Sequence, residues 1–372
     1  MRIGQLSATG WRNLAPLSLP LGPRLTVLYG DNGQGKTNVI EAIYYLATLR
    51  SFRTSQAADL VAVGLGPAGV ARVGAEVEST ELQRKLQVTV GPGGRAVTVD
   101  GKAVRGSAAI FGALSVVLFV PEDLLLLRAP PMARRRFLDL AVFNVERAYY
   151  KEASAFQRVL KSRNTLLRQG RAQGTLLETY DEELARAGAR LVIRRRALVS
   201  ELGPRLHRYF VALHGAFAVE LLYRSDPTVE AAPDEAAVSA ALLAGLRARH
   251  ELDQRRRFTG FGPQTDDLEI VLGGRLARTH ASQGQIRSLV LALKMAELAN
   301  VEQRRGEAPV LLLDDVPSEL DPQRREHLFQ LVSTLSCQTV ISVSDRQVVP
   351  PLEARVDFAV ADGIVSPSEA VK

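Results

Sequence analysis

Gly30-Asp31-Asn32-Gly33-Gln34-Gly35-Lys36-Thr37 sets three glycines ahead of a Lys-Thr pair, the spacing of a complete P-loop. A phosphate chain is held by backbone N–H groups converging at the positive end of a helix. Glycines at 30, 33 and 35 let the backbone wrap where side chains would collide with the phosphates. Lys36 suits the β- and γ-phosphates, and Thr37 suits a Mg²⁺ ion. The flanks agree with this reading. Residues 24–29 read as a short strand running straight into the loop, and 38–49 have helical spacing with Ile40, Ile43, Tyr44 and Leu46 on one side. Asp31, Asn32, Gln34 and Asn38 complete the expected ATP-binding stretch.

Three further segments lie downstream. Leu311-Leu312-Leu313-Asp314-Asp315 is an apolar strand tipped by two carboxylates, and open α/β sheets bind ligands at that edge. Asp314 is the expected Mg²⁺ partner. Asp315 is expected to orient or deprotonate the attacking water, with Lys36 as the second catalytic residue. Ser282-Gln283-Gly284-Gln285 heads a predicted helix over 284–305. Its Ser282 hydroxyl and Gly284 N–H suit a γ-phosphate held by a second copy of the chain. Ser318-Glu319-Leu320-Asp321 follows the acidic strand, with Asp321 expected to align the two copies. The set describes two molecules closing around ATP, each completing the other's pocket.

The N-terminal third reads mostly as strand. Residues 70–77, 82–90 and 95–99 alternate as antiparallel strands, Asp100-Gly101 makes a turn, and 115–120 is a buried strand stopped by Pro121. The texture then changes. Residues 133–168 and 176–214 read as long amphipathic helices, 217–223 as a short strand and 233–252 as another helix. No heptad run is long enough for an extended coiled-coil arm. Strands at 268–272, 310–314 and 339–343, with helices at 284–305 and 323–335, resume the first pattern. Alternation of this kind predicts an α/β head with a mainly parallel sheet. We place that head in 1–120 and 262–372, with a mainly helical lobe over 121–261 inserted.

Composition bounds the rest. A chain of 372 residues exceeds one compact core. Hydrophobic residues at 46% and charged residues at 23% fit a soluble globular protein. No apolar run reaches the roughly 20 residues that span a bilayer. Met1-Arg2-Ile3-Gly4-Gln5 lacks the apolar core of a secretion signal. Cys337 is the only cysteine, which excludes an internal disulfide or a cysteine-built zinc site and fits a reducing cytoplasm.

The net charge is +7. Residues 121–261 hold 24 Lys+Arg against 17 Asp+Glu, and the remainder holds 23 of each, so the excess belongs to the helical lobe. That favours an anionic partner there, DNA above all. Three arginine triplets, 134–136, 194–196 and 255–257, lie in it. Arg134, Arg135, Arg194, Arg195, Arg255 and Arg256 are the expected DNA contacts, since a guanidinium fork pairs well with phosphate. Aromatics are scarce at 6% and not interleaved with these arginines, which argues for backbone contact with duplex or single-strand/duplex junction DNA over base stacking.

At these residues the chain resembles the ATPase heads of the ABC and SMC-like superfamily, and more narrowly the RecF family. Trp11-Arg12-Asn13 stands where such heads carry an aromatic-Arg-Asn after the first strand. Arg50-Ser51-Phe52-Arg53, Pro121-Glu122-Asp123-Leu124 and Arg135-Arg136-Phe137-Leu138-Asp139 look like family segments. So does Gly262-Pro263-Gln264-Thr265-Asp266-Asp267-Leu268. The resemblance implies that Arg12 and Asn13 lie near the nucleotide. It implies ATP and Mg²⁺ as cofactors, an ATP-dependent homodimer, and slow, DNA-stimulated hydrolysis. It also implies work with RecR and RecO in placing RecA at gapped DNA, within replication, repair and the SOS response.

Two departures stand out. Gln264-Thr265 replaces a His-Arg pair. Ser342-Val343-Ser344-Asp345 stands where transporter ATPases carry a histidine that contacts the γ-phosphate. The second departure weighs against the first alternative, an ATPase subunit of a membrane transporter. A non-catalytic SMC-like DNA organiser is the other alternative.

Overall fold

The computed structural model describes residues 1–80, 82–104, 110, 112–170, 174–352 and 354–368. The chain begins with β1 (Arg2–Thr9), β2 (Leu17–Pro20), β3 (Leu25–Tyr29), α1 (Lys36–Thr48), β4 (Ala71–Glu78), β5 (Gln83–Gly91), β6 (Gly94–Val99), β7 (Lys102–Val104) and β8 (Val116–Phe119). It continues with α2 (Pro131–Val145), α3 (Tyr149–Arg168), α4 (Gly174–His214), β9 (Val219–Arg224), α5 (Pro227–Glu230), α6 (Glu235–Ala248) and α7 (His250–Arg256). Then come β10 (Asp267–Leu272), β11 (Arg275–Leu276), α8 (Ala277–His280), α9 (Gln283–Arg305), β12 (Val310–Asp314), α10 (Pro322–Thr334), β13 (Thr339–Val343), β14 (Arg355–Ala361) and β15 (Ile364–Pro367).

These elements form two compact units. The first joins Met1–Leu124 to Glu297–Lys372, and the second is Leu125–Ala296. In the first, one sheet runs β15-β14-β3-β13-β12-β8. All its neighbours are parallel except β15, which turns back on β14. Strands β12 and β13 are buried at every position, as expected for parallel strands covered on both faces. The other sheet, β2-β1-β4-β5-β6-β7, is antiparallel, and β4 shows the alternating burial of a strand with one solvated face. Helix α1 packs against strands of both sheets. It is therefore buried around its circumference, where the sequence suggested one apolar side: Val39, Ile40, Ile43, Tyr44, Tyr45 and Leu46 are all covered.

In the second unit the helix expected over 133–168 divides into α2 and α3. Glu146, at the C-terminus of α2, is extended at φ −126°. Tyr149 then opens α3 as a buried residue. The helix expected over 233–252 divides at Arg249 into α6 and α7. Helix α4 holds for 41 residues despite Pro204 in its interior. Residues 262–296 pack here, and not with the first lobe as the sequence suggested. The reason is backbone pairing: β10 bonds β9 antiparallel along its length, and β9 comes from the helical segment.

Unforeseen in the sequence is a buried ionic cluster beneath the helices. Arg163 is fully buried and donates to Asp181 at 2.7 Å and to Asp253 and Thr259 at 2.8 Å. His250 closes on the far oxygen of Asp181. Removing the guanidinium would strand two buried carboxylates, at roughly 3–5 kcal/mol. Arg163→Met is therefore expected to lower the melting temperature by about 10 °C. A thermal melt of the full chain checks this; a shift of a degree or two would show that the carboxylates find water or protons easily.

Candidate ATP site and nucleic-acid interface

Strand β3 delivers the chain to the P-loop, and α1 begins at Lys36. Gly30, Gly33 and Gly35 adopt φ of 147°, 82° and 118°, a region that favours glycine. A Cβ on Gly30 would stand 2.2 Å from the Val360 carbonyl oxygen, so that glycine is demanded by contact as well. At Gly33 the same atom would meet nothing within 4 Å, so backbone angle alone requires it. Lys36 Nζ folds back and donates to the carbonyls of Gly30 at 2.5 Å and Asp31 at 2.8 Å. Burial holds its pKa below the ordinary lysine value, against the opposing pull of Asp315, Asp314 and Asp31. Phosphate oxygens entering the loop would compete with those carbonyls for the ammonium.

The acidic edge lies beside it. Asp314 Oδ1 accepts from Thr37 Oγ1 at 2.9 Å and from Ser342 Oγ at 2.7 Å. Burial pushes the Asp314 carboxyl up; the two hydroxyls pull it down, the neighbouring Asp315 charge pushes it up further, and Arg53 opposes. Asp315 breaks the strand in a left-handed conformation, φ 53°. Its N–H donates to Ser342 Oγ at 2.9 Å, and its carboxylate accepts from Ser318 Oγ at 2.6 Å. Thus Ser342, which stands in the stretch where transporters carry histidine, positions both acids. Asp345 instead caps the next turn through Gln347 N–H. Thr37 and Asp314 offer adjacent hard oxygens of the kind Mg²⁺ takes beside phosphate, so the residues fit that ion. Bound there with a triphosphate, it would neutralise charge on the phosphate oxygens.

Arg12 and Asn13 separate in role. Arg12 Nε and one terminal nitrogen each meet Glu41 at 2.8 Å, and the other donates to the Asp59 carbonyl at 2.7 Å. Glu41 is fully buried on α1 and also accepts from Ser51. Arg12 thereby ties the first strand's end to the P-loop helix. Asn13 touches the loop itself, donating to the Gly33 carbonyl at 3.4 Å and accepting from Asn38 at 2.6 Å.

The sequence reading missed the β14–β15 turn. Gly363 N–H donates to the Gln34 carbonyl at 2.9 Å, and Asp362 N–H to the Gln34 side-chain oxygen at 2.5 Å. A Cβ on Gly363 would stand 2.0 Å from the Asn13 carbonyl oxygen. The available signal was Asp362-Gly363 between two strand-forming runs, a hairpin dipeptide.

Ser282-Gln283-Gly284-Gln285 lies in the second unit, at the head of α9. Gln285 N–H donates to Ser282 Oγ at 3.2 Å, and Ser282 N–H to Gln285 Oε1 at 2.9 Å. This reciprocal box holds the turn, and the Ser282 hydroxyl keeps its own proton to donate. First-turn N–H groups, Gly284 among them, have no intrahelical partner. In the first unit, Asp321 caps α10 through Arg324 N–H at 3.1 Å and pairs with the Arg324 side chain. Slight burial pushes its carboxyl up, but the Arg324 bonds and charge outweigh this and hold it below the usual range.

The arginine triplets divide sharply. Arg134 is buried, its fork closed on Asp267 at 2.7 and 2.8 Å. Arg195 is buried against Asp139, Tyr149, Tyr223 and the Pro263 carbonyl. Both are structural, and the expectation that they touch DNA is corrected. Consecutive helical residues diverge by about 100°, so one of three arginines on a packed helix turns inward. Arg135 donates to the Asp266 carbonyl, and Arg194 sits between Glu146 and Glu152. Only Arg255, Arg256 and Arg257 form a fully exposed triplet. Beside Arg135 and Arg195, burial pushes the Asp266 carboxyl up to about 6 against the pull of Tyr223 and those arginines. Gln264 and Thr265, where the family pattern has His-Arg, bond back to their own loop at the Phe261 and Gly262 carbonyls.

A P-loop on the parallel sheet, two carboxylates at the end of β12 and an antiparallel sheet packed on the same helix define an SMC-like P-loop ATPase head. The family model described as the RecF/RecN/SMC N terminal domain matches residues 2–363. The DNA replication and repair protein RecF of Anaeromyxobacter sp. (strain K) is 44% identical over 374 residues, covering 99% of each chain. The chain belongs to the RecF family of DNA replication and repair proteins. The RecF of Myxococcus xanthus (strain DK1622) is 43% identical, covering 94% of this chain and 92% of the relative. A solved structure of the recombination mediator protein RecF with ATP superposes with TM-score 0.90 at 29% identity, covering 98% of this chain and 97% of that one. An SMC head bound to the C-winged helix domain of ScpA, at 14% identity and TM-score 0.57, shares the fold alone.

Proposed function

We propose that this protein is an ATP-gated DNA-binding switch of recombinational repair and replication-gap processing. The observation that carries the reading is the hydrogen bond from Thr37, beside Lys36 in the P-loop, to Asp314, with Ser342 joining Asp314 to the Asp315 N–H, so that loop and acids meet at one edge. ATP and Mg²⁺ occupy that edge. The Ser282-Gly284 turn of a second copy covers the γ-phosphate, and two heads close face to face. Closure aligns two weak DNA-binding surfaces on one substrate, and multivalency of this kind multiplies affinity without new contacts. Slow, DNA-stimulated hydrolysis at Asp315 releases the clamp. By family resemblance, RecR and RecO are its partners in placing RecA at gapped DNA, which links it to the SOS response, all in the cytoplasm.

The test is sedimentation and DNA titration with ATP, ADP and no nucleotide, using a gapped duplex. ATP is expected to produce a dimer and raise DNA affinity at least about tenfold, with affinity falling steeply as salt rises. Equal DNA binding in all three conditions would remove the gating.

A further inference from the structure

We infer that residues Arg255-Arg256-Arg257-Phe258 form a tip that reads unpaired nucleotides, the arginines taking phosphates and the Phe258 ring stacking on a base. The inference rests on the DNA-binding reading above and adds a site and a substrate preference to it.

Arginines in the second unit are mostly committed elsewhere: Arg134, Arg163, Arg194 and Arg195 all face carboxylates. Among the described residues, Arg255, Arg256 and Arg257 have no such partner. They end α7, where cations also favour the helix terminus, so exposure alone would be unremarkable. Phe258 makes the difference, and it departs from the backbone-only contact that the scarcity of aromatics suggested. It follows them directly and is 48% exposed, an aromatic held at the surface beside three free cations.

The backbone around the ring is pinned. Arg257 caps α7 in the left-handed conformation, φ 60°. Thr259 is buried, with its N–H and hydroxyl both donating to Asn164 Oδ1 at 2.8 and 2.7 Å. The Thr259 hydroxyl also accepts from Arg163 at 2.8 Å, and Gly260 N–H donates to Asp253 at 3.0 Å. The buried ionic cluster therefore anchors the tip on both sides of Phe258. A ring presented on a rigid base loses little entropy on binding. Cations that track phosphate, combined with an aromatic that stacks a base, are the means by which proteins hold single strands. A paired duplex hides its base faces, so the ring discriminates while the arginines do not.

Wild type, Phe258→Ala, Phe258→Tyr and the double variant Arg255→Gln/Arg256→Gln would be titrated with ATP present. The substrates are a gapped duplex carrying 2-aminopurine in the gap and an unbroken duplex of equal length. Phe258→Ala is expected to lose about tenfold on the gapped substrate, to leave the unbroken duplex unchanged, and to abolish the 2-aminopurine quench; Phe258→Tyr restores both. The double variant should weaken both substrates and shrink the salt slope by about 2. Equal losses on both substrates for Phe258→Ala, or none on either, would overturn the stacking role. A wild type that binds neither DNA would instead overturn the underlying DNA-binding reading, and this inference with it.

Discussion

Replacing Lys36 by methionine is expected to weaken ATP binding by about 100-fold and to leave the chain monomeric in saturating ATP. Methionine keeps the unbranched stem that packs at the start of α1 and removes only the ammonium. In the structure that ammonium rests on the Gly30 and Asp31 carbonyls, facing the side from which Asp314 and Asp315 act on its charge. A charge-assisted bond contributes roughly 1.5–3 kcal/mol, and a lysine serving two phosphates lies at the upper end. The fold should survive, because burial already disfavours the charged form. Calorimetric titration with ATP and sedimentation check both halves. A variant that still dimerises on ATP would show that the nucleotide switch lies elsewhere.

The second large effect falls on turnover. Asp315→Asn retains an oxygen to accept from Ser318 and keeps the N–H that meets Ser342, so local structure should persist. What disappears is the carboxylate proposed to orient or deprotonate water, a contribution of roughly 100- to 10,000-fold. We expect hydrolysis to fall in that range while ATP binding stays within a few-fold, so the ATP dimer outlives that of the wild type on DNA. Asp314→Asn should behave differently. It disturbs the Thr37–Asp314–Ser342 set proposed to hold Mg²⁺, and so should weaken ATP binding in magnesium. Full turnover in the Asp315 variant would remove it from the reaction; identical phenotypes for the two would dissolve the division of labour.

Legibility in the sequence followed the range of the interactions. The P-loop and the acidic strand were readable because each is local: glycine spacing and an apolar run ending in acids specify their geometry within a few residues. The Ser282 turn was readable as a helix head, and its capping box with Gln285 is equally local. The break between α2 and α3 was not readable, since Glu146-Arg147-Ala148 contains neither glycine nor proline. The triplets misled because three adjacent arginines say nothing about which way a helix faces. Arg134 found Asp267, and Arg195 found Asp139, across 133 and 56 residues. The boundary at 262 failed likewise, because β10 pairs with β9 instead of joining the parallel sheet.

The strand that carries the phosphate loop has β13 and β14 for neighbours, and its loop is gripped by Asp362 and Gly363. All arise more than 300 residues later in the chain. On a ribosome, the nucleotide pocket therefore stays unfinished until residues 339–363 have emerged, however early its glycines appear. Such distant closure predicts slow maturation and a long interval in which an apolar strand edge lies open, the circumstance in which a newborn chain depends on chaperones.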